Sequence, residues 1–342
     1  MANTYSDKKN RQFWNSSKED VVNFIRDEVF LKKTQQKIEH RVKLFIKNNL
    51  KDAGKVQLDS DDLYYWFAPE IENNLFKAIL KPENKKNSGD KLYRYVSQSS
   101  FKHLVEEGTI TMASLICMND VTEKNYANDY VKSRKIKSGC ISGEKDSLNC
   151  YISSMSLSCD NLMMWNMYGG NAKGVELVFD AGTVDKGFTI SDVDYANAKK
   201  EILELNYIIR LLRRSCYGKY LQLRRWNIWQ HFFKPYYYKD EREVRLLYNL
   251  SSNNFDKREW HTSASGLNFP LIKFRVFDEW KEDAASYKKL PCFPLKLEQI
   301  VLGPLFPESA VNALALRDRL SDSTGSDSLR ISCSQIKGYR ES

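Results

Sequence analysis

The stretch Lys234-Pro-Tyr-Tyr-Tyr-Lys-Asp-Glu241-Arg-Glu243-Val-Arg245-Leu-Leu-Tyr248 ends in a run that alternates charged and apolar residues. A two-residue side-chain period predicts a strand, with Glu241, Glu243 and Arg245 on one face and Val244 and Leu246 on the other. Two carboxylates on adjacent same-face positions repel each other, which raises one pKa and leaves a site able to accept hydrogen bonds from hydroxyls. The same pattern also describes a charged solvent face relieved by Arg245 and neighbouring lysines.

Four other short runs have the same β-like texture: Lys91 to Val96, Tyr151 to Leu157, Gly174 to Phe179 and Ile300 to Leu302. Between the third run and the quoted one lies a helical insert of about residues 196–233. Its Ile202, Leu205, Ile208, Ile209 and Leu212 keep helical spacing, while Arg210, Arg213 and Arg214 fall on another side. Upstream, residues 16 to about 50 read as helix, from Val21, Val22, Phe24, Ile25, Val29 and Phe30 near a period of 3.6 and a capping box at Ser16 and Glu19. A second helical stretch runs from Leu63 to Leu80. The polar run 82–91 is the best linker in the chain. The expected organisation is a helical region at 1–81, a linker at 82–91, and an α+β domain at 92–342 carrying the insert.

Composition bounds the function. The chain has 342 residues, 42% of them apolar and 13% aromatic, enough for a substantial core. No apolar stretch is long enough to span a bilayer, and Met1 to Arg11 is polar, so the expected location is cytoplasmic, with no membrane partner. Seven cysteines are scattered with no CxxC pair, and none of the four histidines has metal-ligand spacing, so neither a disulfide scaffold nor a metal is expected. The net charge of +9 favours polyanionic partners or phosphate-bearing ligands, although basic balance is common in soluble proteins.

Three further features could carry chemistry. In Leu92-Tyr93-Arg94-Tyr95 an arginine sits between two tyrosines, suited to a phosphate or carboxylate, or to packing at a sheet edge. In Ser153 to Ser158, a strand places Ser154, Ser156 and Ser158 on one face, a row of hydroxyls that can orient a sugar or simply meet solvent. In Asn161 to Gly170, Trp165 and Tyr168 stand three apart, on one side of a helical turn. They offer a surface for a planar ring, or belong with Met163, Met164 and Met167 to the core.

In this order the features resemble a widespread bacterial family catalogued as a domain of unknown function. Its pattern is met by Tyr93, Arg94 and Tyr95; Asn119 and Asp120; Ser154 and Ser156; Met164, Trp165 and Tyr168; Gly174; Glu241, Glu243 and Arg245; and the tail from Ile300 to Pro304 and Ile336 to Arg340. The family's Asn-Asp-Pro-Phe-Glu reads Asn119-Asp120-Val121-Thr122-Glu123 here. The succession of arginine, Ser-x-Ser and Glu-x-Glu is also similar to the active-site pattern of arginine-serine-glutamate ADP-ribosyltransferases.

That resemblance implies a split β-sheet core and NAD as substrate, with no metal. It puts Arg94 on the diphosphate or ribose, Ser154 and Ser156 on the nicotinamide ribose, and Glu243 on the ribose 2′-hydroxyl. Glu241 guides the acceptor, Trp165 or Tyr168 stacks on a ring, and Tyr95 belongs to the same NAD-binding set. A toxin or antiphage defence effector modifying nucleic acid or protein fits this chemistry. Two other expectations stand beside it. One is a nucleic-acid-binding or cleaving protein without NAD chemistry, using Arg210, Arg213, Arg214, Arg224 and Arg225 with Tyr220, Trp226 and Trp229. The other is a non-catalytic interaction protein.

Overall fold

The computed structural model describes residues 36–58, 62–80, 90–115, 121–141, 149–181, 187–197, 202–215, 218–250, 258–262 and 268–339. The first part of the expected N-terminal helix, its capping box, most of the 82–91 linker, and Asn119 with Asp120 lie outside them.

Contacts divide the chain into two compact units. The first comprises Met1–Pro82, Arg134–Cys140 and Glu201–Leu223. Its described elements are helix α1 (36–49), strands β1 (Gly54–Gln57) and β2 (Leu63–Trp66), and helix α2 (Pro69–Ile79). Within the later segments of the same unit lie a helix at Leu203–Arg213 and a strand at Lys219–Leu221. A three-stranded sheet, with β2 between β1 and Lys219–Leu221, joins these pieces. The expected helix from Leu63 is corrected here: Leu-Tyr-Tyr-Trp at 63–66 is too short to carry a helical period, and its buried Tyr64 and Tyr65 pair as strand. Proline at the first turn then opens α2 after the strand, where its missing N–H is no loss.

The second unit holds the large sheet. Its strands are β3 (Lys91–Val96), β4 (Thr109–Ser114), β5 (Cys150–Ser156), β6 (Val175–Asp180) and β7 (Phe188–Asp192), followed by the short β8 (Asp194–Tyr195). Counting Lys219–Leu221 of the first unit as β9, they continue as β10 (Phe233–Lys234), β11 (Glu243–Asn249), β12 (Glu259–Thr262), β13 (Asn268–Arg275), β14 (Lys296–Leu302) and β15 (Arg330–Cys333). Helices α3 (Gln98–Glu107), α4 (Val121–Lys132) and α5 (Leu162–Met167) belong to this unit. With the first unit's helix as α6 (Leu203–Arg213), the long C-terminal helix is α7 (Ser309–Thr324). The expected helical insert is therefore only partly helical: α6 is followed by β9, a one-turn helix at Trp226–Trp229 and β10.

The topology is mixed α+β. Along one edge of β5, all seven residues pair with β11, from Cys150↔Asn249 to Ser156↔Glu243. Its other edge is shared. Strand β4 pairs at Ala113↔Ile152 and Ser114↔Tyr151, and β3 pairs only at Tyr93↔Ser156. The sheet therefore splits at β5 into an arm β4-β13-β12 and an arm β3-β6-β14-β15, with β11 and β7 on the far side.

One face of this sheet carries the main core, including Leu92, Met155, Leu177, Phe179, Val244, Leu246 and Phe274. Burying each such side chain contributes on the order of 2 kcal/mol. Helix α3 is set by its ends: Ser97 Oγ accepts from Ser100 N at 3.3 Å, and Gly108 closes it with φ +64. A Cβ at Gly108 would also stand 2.5 Å from the Trp280 ring. The opposite face carries the site.

Candidate functional site

Directly opposed residues of antiparallel strands share a face. The register Tyr93↔Ser156↔Glu243 and Ser154↔Arg245↔Ser191 therefore lines up Tyr93, Ser154, Ser156, Ser191, Glu243 and Arg245 on one face. The pair Tyr95↔Glu176 on β3 and β6 extends that face into the second arm.

Alternation puts Arg94 on the other face, opposite Leu177 and between the core residues Leu92 and Val96. Its Nη2 donates to the Thr111 carbonyl at 3.0 Å, Nη1 is buried with no hydrogen-bond partner among the described residues, and burial lowers its pKa to about 10. The structure thus brings Ser154, Ser156, Glu241 and Glu243 together and leaves Arg94 out.

Glu241 reaches the site by a route the strand reading misses. It ends a 3₁₀ turn, Tyr236–Glu241, and Arg242 follows in the left-handed region with φ 45, so β11 begins only at Glu243. That turn folds Glu241 back over the strand, where Lys234 Nζ stands 2.7 Å from Glu241 Oε2 and 2.7 Å from Glu243 Oε2. Arg245 Nε donates to Glu243 Oε1 at 2.6 Å and Nη2 to Oε2 at 3.2 Å, while Nη1 donates to the His231 carbonyl. Tyr168 OH donates to Glu241 Oε1 at 2.5 Å. Ser156 Oγ donates to the Glu241 carbonyl at 2.7 Å, and Tyr195 OH accepts from Glu243 N at 2.8 Å.

Two carboxylates thus face two cations in a site where all four side chains are buried. The expected repulsion between the carboxylates does not control Glu243. Burial pushes its pKa up, but Arg245 and Lys234 together outweigh burial and hold it at about 2. Glu243 is a fixed anion, oriented by a fork of two hydrogen bonds.

The aromatic pair separates. Trp165 is fully buried, meets Tyr95 edge-on at 4.9 Å, and donates from Nε1 to Asp160 Oδ1 at 2.7 Å, so it is core. Tyr168, at the helix end, is 42% exposed and is the solvent-facing partner of Glu241. Tyr95 is committed too, donating to the Ser158 carbonyl and accepting from Asn161 N. Ser154 is exposed, Ser156 buried, and Ser158 lies past the strand with its N–H on Ser156 Oγ at 2.9 Å.

Lys234, Asp160 and Glu176 escape sequence reasoning. Lys234 is separated from Glu241 by a proline, three tyrosines, a lysine and an aspartate, and no period links them. Glu176 gives a signal, a lone carboxylate in the apolar run of β6, where it is completely buried. Its Oε2 accepts from Asp160 N at 2.7 Å, and burial raises its pKa to about 7 against the lowering effects of Tyr95 and the Asp160 amide. Asp160, held at φ 42, also accepts from Ser334 Oγ at 2.6 Å and Gln335 N at 2.8 Å, binding the C-terminal segment to this face. Gly174 lets β6 start here: a Cβ would stand 2.0 Å from the Val96 carbonyl.

The basic residues expected to meet nucleic acid are divided between the two units. Arg210, Arg213 and Arg214 lie in the first unit, Arg224 and Arg225 in the second. Arg210 pairs with Glu39 at 3.6 Å, and Arg213 donates to the Arg134 carbonyl. Trp226 and Trp229 are buried, and Tyr220 lies beneath the Lys137 ammonium at 4.3 Å, so neither tryptophan is a stacking platform.

Residues 164–246 match the family model DUF2971. The matching family model is described as protein of unknown function, and the match runs from Met164 in α5 to Leu246 in β11. The matched segment contains Tyr168, Glu176, Lys234, Glu241, Glu243 and Arg245, but neither Arg94 nor the Ser-x-Ser strand. No curated protein and no solved structure matches the chain. Among the described residues no group of three or more His, Cys, Asp or Glu side chains could hold a metal ion, and no helix is long and apolar enough to cross a membrane.

Proposed function

We propose that the chain is an ADP-ribosyltransferase-like enzyme that cleaves the nicotinamide–ribose bond of NAD on the face built by β5 and β11. The observation that carries this reading is the register Ser156↔Glu243 and Ser154↔Arg245, which sets the Ser-x-Ser and Glu-x-Glu-x-Arg strands side by side where the sheet splits. Breaking the bond develops oxocarbenium character on the ribose, and a preoriented carboxylate stabilises that positive charge. Glu243, fixed as an anion by Arg245 and Lys234, suits that role without reorganising. Ser154, exposed beside it, is placed to bond a ribose hydroxyl.

Tyr168 is the side chain between solvent and Glu241, and its movement off Oε1 opens the carboxylates to substrate. The reading gives no ligand-binding role to Arg94, Tyr95 or Trp165, because the first lies on the other face and the other two are committed to the core.

The test is nicotinamide release from NAD by the purified chain, by Glu243→Gln, and by Ser154→Ala and Tyr168→Phe. The last two alter solvent-exposed side chains, so they keep the test decisive if Glu243→Gln does not fold. Release by the parent chain, with a loss of roughly ten-fold or more in folded Glu243→Gln and Ser154→Ala and no such loss in Tyr168→Phe, is the expected result. No release by folded parent protein, with or without cell extract, overturns the proposal.

A further inference from the structure

The two tryptophans expected to stack on bases are buried, yet the chain does expose aromatic side chains, and they belong to the turn that ends in Glu241. Tyr237 is 73% exposed and Tyr236 is 36% exposed, both on the 3₁₀ turn that ends in Glu241. Tyr238 meets Tyr237 at 5.6 Å, edge to face, and has Lys234 over its other side at 4.9 Å. Lys239 Nζ lies over the Tyr236 ring at 4.2 Å and bonds its hydroxyl at 2.5 Å. Tyr126 of α4 adjoins them, its phenol raised by burial first and then by Tyr130 and Tyr237.

An aromatic residue three-quarters in water loses favourable burial, and a core role does not account for it. Exposed rings beside the exposed ammonium of Lys239 match a base on the ring and a phosphate on the cation, the arrangement by which single strands are held without sequence readout. Lys239, in the turn, and Arg242, just after it, are both exposed, with Asp240 as the opposing charge in the same turn, and the chain as a whole carries +9. A duplex stacks its own bases inside and offers no face to these rings, so the chemistry selects unpaired nucleotides.

We infer that Tyr236, Tyr237 and Lys239 form a docking surface for single-stranded nucleic acid, which the proposed enzyme uses as its ADP-ribose acceptor. The acceptor role rests on the NAD reading; the docking surface does not. A base stacked on Tyr237 is delivered to the turn whose last residue is Glu241. In the transfer, the ribose–nicotinamide bond breaks with its electron pair leaving on nicotinamide. A nucleophilic nitrogen or oxygen of the nucleotide forms the new bond to the ribose carbon and releases its proton to a base or to water.

The experiment measures binding of a labelled mixed-sequence single strand, as RNA and as DNA, and of the matching duplex, at low and physiological salt, with radiolabelled NAD added in a parallel arm. Expected are salt-sensitive binding that favours the single strand, roughly ten-fold weaker binding in Tyr237→Ala, and no change in Arg213→Ala. Absence of single-strand binding at low salt overturns the inference, as does binding unaffected by Tyr237→Ala together with Lys239→Ala. In the NAD arm, label on the oligonucleotide supports the acceptor role, and label only on protein, with nicotinamide released, overturns it. Binding that depends on Tyr237 without any nicotinamide release sinks the NAD reading and leaves the surface standing.

Discussion

Arg94 Nη2 donates to the Thr111 carbonyl at 3.0 Å, joining β3 to β4 across the notch where both leave the same edge of β5. A strand at a split has backbone groups without a ladder partner, and a long side chain from the neighbouring arm satisfies one of them. Arg94 is thus a structural bridge on the core face. Its buried Nη1 makes the bridge an expensive one.

Replacing Arg94 with methionine removes an incompletely satisfied cation and keeps most of the volume, so stability should change by no more than about 1–2 kcal/mol in either direction. If the proposed NAD cleavage is observed, the KM for NAD should stay within a factor of about two, since the side chain faces away from Glu243. A KM raised a hundred-fold in a folded Arg94→Met protein would restore Arg94 to the dinucleotide and undo the facing argument. Thermal melts and initial rates of nicotinamide release give both numbers.

Lys234 holds Glu241 and Glu243 together, each at 2.7 Å. Lys234→Met leaves two buried carboxylates with one guanidinium, and breaking a buried pair by removing one partner destabilises by about 3–5 kcal/mol. The double variant Lys234→Met with Glu241→Gln should recover part of that loss, because it removes the uncompensated charge. Urea unfolding of the three proteins decides it; equal stability of the single and double variants would mean the charges are not coupled.

The two perturbed glutamates act in opposite pH ranges. Glu176 has its folded pKa raised from 4.5 to about 7, so its protonated form contributes stability fully below about 4.5, and the contribution is lost as pH rises through 7. The size is on the order of 3 kcal/mol. Glu243 is depressed below 4.5, so its contribution is complete above 4.5 and disappears as pH falls toward 2. Glu176→Gln should therefore flatten the decline of stability on the neutral side, and Glu243→Gln the decline on the acid side. Denaturation midpoints against pH for both variants test this, and a Glu176→Gln curve parallel to the parent from 4.5 to 7 would contradict it.

Asp160 gathers Trp165 Nε1, Ser334 Oγ and Gln335 N on one carboxylate. Asp160→Asn keeps the left-handed backbone, which asparagine tolerates, but loses one acceptor and the charge. The expected cost is about 1–3 kcal/mol, concentrated in the attachment of the segment after β15. Limited proteolysis should cut near Ser334 faster in the variant, and unchanged cleavage would place the anchor elsewhere.

The five β-like runs at Lys91, Tyr151, Gly174, Glu243 and Ile300 are strands in the structure, because period-two alternation or a short apolar run is a local property that survives folding. The α+β class and the one-sided burial of α6 were legible for the same reason. Leu63–Trp66 was not: four residues carry no period, and pairing with β1 decided the matter. Nor was the face of Trp165, since a Trp and a Tyr three apart share a side only while the helix continues, and α5 ends at Met167.

Alternation alone separates Arg94 from Tyr93 and Tyr95, a consequence of chain geometry. Which of those two faces meets Ser156 and Glu243 depends on the register with β5, set by long-range pairing. The site itself belongs to tertiary structure: a left-handed residue at Arg242 turns Glu241 back, Lys234 arrives from a separate strand, and the charges of Arg245 and Lys234 lower Glu243 against the raising effect of burial. Local periodicity determines which side a residue faces; only the assembled sheet determines what it faces.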